Sequence, residues 1–199
     1  MLSIVKLLRL SLYNSEANMK YRTSDLSLCA LFAALLAVCA WLVIPAGPVP
    51  FTLQTFGVFA ALGLLGGKRG TVSILVYLLL GAVGAPVFSG FQGGIGVLLG
   101  VTGGYLLGFL LCGLVMMLAE KLFGESAAVF LIASVVGLLL CYAFGTAWFL
   151  TVYARGGGAI TLGAALGKCV LPFLLPDAAK LALAAVLRAR VKRYVPAAG

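Results

Sequence analysis

Histidine is absent from the 199 residues, and five acids stand against fourteen lysines and arginines. Without histidine the commonest general base, proton shuttle and metal ligand are missing. Zinc, rhomboid-like and di-iron membrane chemistries therefore lose their usual side chains. Charge of either sign is scarce: 10% of residues are Asp, Glu, Lys or Arg and 63% are hydrophobic, against about 25% and about 45–50% in soluble domains. Such a chain is neither disordered nor a soluble globule, and it reads as an integral membrane protein. Lipid-linked transferases need clustered carboxylates to hold metal-bound phosphates, which five scattered acids do not supply. CxxC spacing is missing too. Cys29, Cys39, Cys112, Cys141 and Cys169 stand singly in apolar stretches and read as small packing residues. No cofactor or metal is expected.

Glycine, by contrast, is abundant at 26 residues, and in lipid it permits close helix packing and irregular backbone around cavities. Turn chemistry at Pro45 to Pro50, Gly66 to Gly70, Gly84 to Gly100 and Gly156 to Gly158 separates six apolar stretches: Leu26 to Ile44, Phe51 to Leu65, Thr71 to Val83, Val101 to Leu118, Ala127 to Tyr153 and Leu171 to Leu187. The expected fold is all-α with six transmembrane helices, the second and third of them short. Eleven of the fourteen basic residues then fall on one face: Lys6, Arg9, Lys20, Arg22, Lys68, Arg69, Lys121, Arg188, Arg190, Lys192 and Arg193. The positive-inside rule puts that face, with both termini, in the cytoplasm. This is the ordinary meaning of the formal charge of +9, and nucleic acid is not expected as a partner. Residues 1–22 form a cytoplasmic segment, 23–193 the membrane domain and 194–199 a tail. The run before Met19 is either an interfacial amphipathic segment or an over-long start. The second is favoured because Met19 to Asp25 is a complete basic flank, with Ser24 or Asp25 to cap the first helix.

Asp177 and Lys180 carry the most information, because ionisable residues inside a span are costly and face a cavity or each other. They lie about 60° apart on one helical face. Counted back from Arg188 at about 1.5 Å per residue, both belong near the middle of the membrane. Pro176 suits the first turn of a helix, and Pro172 argues against regular helix before it; the approach to the sixth helix is expected to break there. The same ruler places Gln54, Thr52 and Tyr105 in the outer part, beneath the uncharged loop that carries Phe88, Gln92 and Thr102. The competing readings are a purely structural ion pair for Asp177 and Lys180, helix capping for Thr52 and Gln54, and interfacial anchoring for Tyr105 and Trp148. Ala30, Ala33, Ala34, Ala37 and Ala40 form a small-residue stripe that admits another helix closely, from inside or outside the chain.

Four motifs in order, Pro50-Phe-Thr-Leu-Gln-Thr55, Gly84-Ala-Pro-Val-Phe88, Thr102-Gly-Gly-Tyr105 with Gly108-Phe109, and Pro172-Phe-Leu-Leu-Pro-Asp177-Ala-Ala-Lys180, resemble the BioY family. Its members are the biotin-specific substrate-capture (S) components of energy-coupling factor (ECF) transporters. The resemblance spans about residues 22 to 190. It implies a six-helix S component that binds a vitamin from outside and passes it to a membrane coupling subunit with two cytoplasmic ATPase subunits. It implies no enzyme in this chain, a bacterial or archaeal cytoplasmic membrane, and ligand contact at Asp177 and Lys180. Biotin's ureido ring offers two N–H donors for a carboxylate and one carbonyl for an ammonium, and its thioether ring suits walls such as Phe88 and Tyr105. The valerate carboxylate wants a cation, with Arg155 and Lys168 as the outer candidates. Gly93-Gly94-Ile-Gly96 lacks the lysine and the serine or threonine of a P-loop, so ATP hydrolysis is expected in a partner. The stripe at Ala30, Ala33, Ala34 and Ala37 is expected to dock the coupling subunit. An S component for thiamine or riboflavin is the alternative; a membrane enzyme or a passive channel fits the residues less well.

Overall fold

The computed structural model describes residues 23–45, 49–158 and 160–194. The expected cytoplasmic segment with Met19, and the tail beyond Tyr194, lie outside the described residues. Helix α1 is Thr23–Trp41; strands β1 (Val43–Ile44) and β2 (Phe51–Thr52) pair antiparallel, Val43 with Thr52 and Ile44 with Phe51. Helix α2 (Gln54–Ala82) leads through a 3-10 turn (Ser89–Phe91) and the short α3 (Ile95–Leu99) to α4 (Gly103–Phe123) and α5 (Ala127–Arg155). Helices α6 (Leu162–Cys169) and α7 (Leu171–Val191) finish the bundle, with a 3-10 turn at Lys192–Tyr194. Five helical runs are long and apolar enough to cross a membrane, α6 and α7 counting as one run to Tyr194. Local chemistry sets several of the ends. Ser126 Oγ accepts from Val129 N at 3.1 Å to start α5, and Thr161 Oγ1 accepts from Ala164 N at 3.3 Å to start α6, both as N-caps do.

The second and third apolar stretches of the sequence occupy the single run α2, which is not straight. Gly66 has φ 81° and ψ 172°, a region that only glycine adopts without strain. A Cβ built on Gly70 would come within 2.9 Å of the Leu62 Cα, eight residues earlier, whereas eight residues of straight helix span about 12 Å. Gln54 Nε2 reaches Tyr77 Oη at 2.6 Å, 23 residues on, against about 34 Å along a straight rod. The chain therefore folds back at Gly66 into two antiparallel arms, Gln54 to Leu65 and Gly67 to Ala82.

Ion pairs gather at the Gly66 end. Glu120 Oε2 accepts from Gly67 N at 2.6 Å, which caps the returning arm where its helix dipole is positive. Asp25 Oδ1 lies 2.6 Å from Arg69 Nη2 with both side chains buried, and Lys192 pairs with Glu125. Thr23 and Ser24 are already helical, so Asp25 is not a cap but the first-turn anchor of α1 on α2. The bundle interior beyond is apolar, with Leu36, Phe59, Ile74, Tyr77, Phe109 and Met116 in one cluster. Helices α4 and α5 pack closely: a Cβ on Gly108 would stand 2.6 Å from Cys141 Sγ. The lone cysteines are all buried and free, as packing residues should be.

Two sequence expectations need correction here. The break before the last helix falls at Val170 (φ −125°, ψ −57°), not at the prolines. Pro172 occupies the first turn of α7, where its missing N–H costs nothing, and Pro176 lies inside the helix. The alanine stripe also divides: Ala33 and Ala37 are buried in the core, while Ala30 and Ala34 are exposed. Spacings of three and four wrap partly around a helix, and α1 turns only one side of that stripe toward α2. Ala33 and Ala37 are therefore internal packing residues rather than partner contacts.

Gly66→Ala is expected to destabilise the chain by roughly 1–3 kcal/mol, the cost of a non-glycine residue in that conformation, since its Cβ would also lie 3.0 Å from Glu125 Oε1. Thermal unfolding of the purified variant in detergent checks this, and an unchanged melting temperature would mean that the fold-back tolerates a side chain.

Candidate functional site

At the opposite end from the ion pairs, the elements leave a cavity of about 490 Å³. Strands β1 and β2, the loop after α2, the start of α4, the middle of α5 and the start of α7 surround it. Seven of the nine residues expected to bind substrate line it: Thr52, Gln54, Phe88, Gln92, Tyr105, Asp177 and Lys180. Its apolar wall comes from Phe88, Tyr105, Leu106, Phe109, Leu138 and Phe173, a mixture that suits a small molecule with an apolar body and a few polar atoms.

Asp177 is the polar centre. Its side chain is 2% exposed, and it accepts three hydrogen bonds. Thr55 Oγ1 donates to Oδ1 at 2.8 Å, Lys180 Nζ donates to the same oxygen at 2.8 Å, and Tyr142 Oη donates to Oδ2 at 2.6 Å. Lys180 Nζ also donates to Thr55 Oγ1 at 3.0 Å. An ionised carboxylate has about four acceptor sites and an ammonium three N–H groups. One acceptor position on Oδ2 and one N–H of Lys180 thus remain unspent. The i, i+3 spacing on α7 brings the two charges together, and burial makes each dependent on the other, because a lone charge there is expensive.

A second network lines the wall beside it. Gln54 Nε2 donates to Tyr77 Oη, and Thr52 Oγ1 donates to Gln54 Oε1 at 3.0 Å while accepting from Gln54 N at 3.2 Å. Thr52 thus takes up the first N–H of α2 and also lines the cavity. Tyr105 Oη shares a hydrogen bond with Thr146 Oγ1 at 3.0 Å. Trp148 donates instead to Gly100 O at 2.9 Å and pins the loop to α5. The mouth is fastened by rings: Phe51 stacks on Phe173 at 4.2 Å and Trp41 on Phe91 at 5.0 Å. Phe88 is 1% exposed and edges onto Tyr77 at 5.5 Å.

Arg155 and Lys168 are not brought to the cavity. Arg155 ends α5 and Lys168 lies in the last turn of α6; both are exposed, and neither is among the lining residues. A place on the outer side of the spans, the basis for naming them, does not say which way a side chain points. Thr55 and Tyr142 were missed for the complementary reason. Thr55 stands in the Pro50 to Thr55 motif, but Tyr142 sits in an apolar run and its partner is 35 residues away.

The BioY family pattern matches residues 13–197 of the chain. This chain belongs to the BioY family. Among its relatives, the biotin transporter BioY of Thermotoga maritima is 45% identical over 164 residues, which are 82% of this chain and 92% of that one. The probable biotin transporter BioY of Pyrococcus horikoshii is 40% identical over 171 residues, 86% and 98% of the two chains. A crystal structure of the S-component for biotin from an ECF-type ABC transporter superposes with a TM-score of 0.74 at 30% identity, covering 85% of this chain and 90% of that one. This BioY member is accordingly a multi-pass membrane protein with the S-component fold.

Tyr142→Phe is expected to lower the melting temperature more than Tyr105→Phe does. The first removes a hydrogen bond to a buried charge, worth about 1.5–3 kcal/mol, and the second a neutral one worth about 0.5–1.5 kcal/mol. Thermal melts of both variants in detergent decide it; equal shifts would show that Tyr142 does not hold the carboxylate.

Proposed function

We propose that the chain binds biotin from the outer face of a bacterial or archaeal cytoplasmic membrane and takes it up as the S component of an ECF transporter. The observation that carries this reading is the buried Asp177 and Lys180 pair on the cavity wall, with one acceptor and one donor position unspent. A cyclic urea presents the complementary set, an N–H for Oδ2 and a carbonyl for the ammonium. The apolar wall takes the thioether ring, and Gln54 or Thr52 can meet the second N–H. The relatives named as biotin transporters support the same ligand over nearly their whole length.

The two arms of α2, counted separately, support six crossings. The basic residues at the Gly66 end support cytoplasmic termini and a cavity opening outward. ATP hydrolysis then belongs to two cytoplasmic ATPase subunits, coupled through a membrane subunit, since the chain carries no nucleotide motif. Ala30 and Ala34, exposed on α1, are the small residues to which that subunit would dock. A second reading has an observation of its own. Thr55, Tyr142 and Lys180 already satisfy most of Asp177, so the pair could be architecture alone, with the ligand held elsewhere in the cavity.

Equilibrium titration of the purified chain with biotin, thiamine and riboflavin is expected to give submicromolar binding of biotin, roughly 8 kcal/mol or better; saturation by another vitamin with no biotin signal overturns the assignment. Asp177→Asn and Lys180→Met should each weaken biotin binding about 10- to 150-fold, from roughly 1.5–3 kcal/mol of charge-assisted bonding. A double variant that regains both stability and affinity would leave the pair a structural one. Ala34→Trp should abolish co-purification with the coupling subunit while sparing biotin binding, and loss of binding as well would place Ala34 in internal packing.

A further inference from the structure

The cavity has a floor and a mouth of different chemistry. Asp177 is bonded to Tyr142 of α5, whose neighbour Cys141 packs on Gly108 of α4. Thr102, which also lines the cavity, lies six residues before Gly108, roughly 9 Å along the helix axis. The charged pair thus occupies the deep end, and Thr102 and Gln92 the shallow end. There the cavity continues into a second hollow of about 420 Å³, with Gln92, Val97, Val101 and Thr102 common to both and Gly93, Gly96 and Gly100 added. Among the described residues, Lys180 is the single cation lining either space, and it lies at the deep end, committed to Asp177 and Thr55.

A ligand whose urea engages the floor therefore extends its acid tail toward a neutral, water-open mouth. A carboxylate left in contact with water keeps its hydration and needs no counter-charge, and exposed charge pairs add little affinity. We infer that the tail is recognised without a cation, by its length and by neutral groups such as Gln92 and Thr102, so that the site takes tail amides of biotin as well as the free acid. This rests on the proposed function and deepens it: the substrate class becomes cyclic ureas with a variable tail end. Room for a larger tail exists in the second hollow, where a Cβ added at Gly96 would meet nothing within 4 Å.

The test is equilibrium titration of the full chain in detergent with biotin, its primary amide and ε-N-biotinyl-lysine. The three affinities are expected to agree within tenfold. Biotin binding with a greater than tenfold loss for the primary amide overturns the inference and leaves the proposed function standing; absence of biotin binding removes both. Gly96→Phe, which places a ring in the open second hollow, supplies an independent arm. It should weaken ε-N-biotinyl-lysine at least tenfold more than biotin, and equal effects on the two would place the tail elsewhere and overturn the inference.

Discussion

One buried carboxylate organises the cavity half of this molecule. Asp177 draws a hydroxyl from the first arm of α2, a phenol from α5 and an ammonium from its own helix, so three elements distant in sequence are held at one point. An uncompensated charge there would cost several kcal/mol, which makes the convergence of those elements a condition of folding rather than an ornament.

The Asp177 and Lys180 pair is legible in the sequence because charge in an apolar run is rare and its spacing fixes a shared face. Gln54, Thr52, Tyr105, Phe88 and Gln92 are legible as a set through depth along the helices. Arg155 and Lys168 have the right depth and the wrong direction, and only packing decides direction. Tyr142 leaves no trace in hydrophobic periodicity, since an aromatic inside a span is ordinary and its hydrogen bond crosses from α5 to α7. The break at Gly66 is visible as a glycine-bounded pause between two short stretches, and the chain leaves helical geometry and folds back there. The shift of the α7 break from Pro172 to Val170 has its own origin. Prolines mark where a helix may not have an N–H partner, and the first turn is one such place.

The alanine stripe of α1 teaches a narrower lesson. Its spacing licensed a close helix contact without naming the partner: Ala33 and Ala37 face α2 and the core, whereas Ala30 and Ala34 remain on the surface.

The two ends of the bundle are fastened by different forces. Asp25 with Arg69, Glu120 with the returning arm of α2, and Lys192 with Glu125 hold one end through charge. At the other end, above the Asp177 network, the stacked rings of Phe51 with Phe173 and Trp41 with Phe91 add contact area. Ring stacking carries no net charge for salt to screen, and its strength does not depend on a proton. Added salt therefore leaves these ring contacts unaltered, and weakens first the partly exposed pair of Lys192 with Glu125 at the other end.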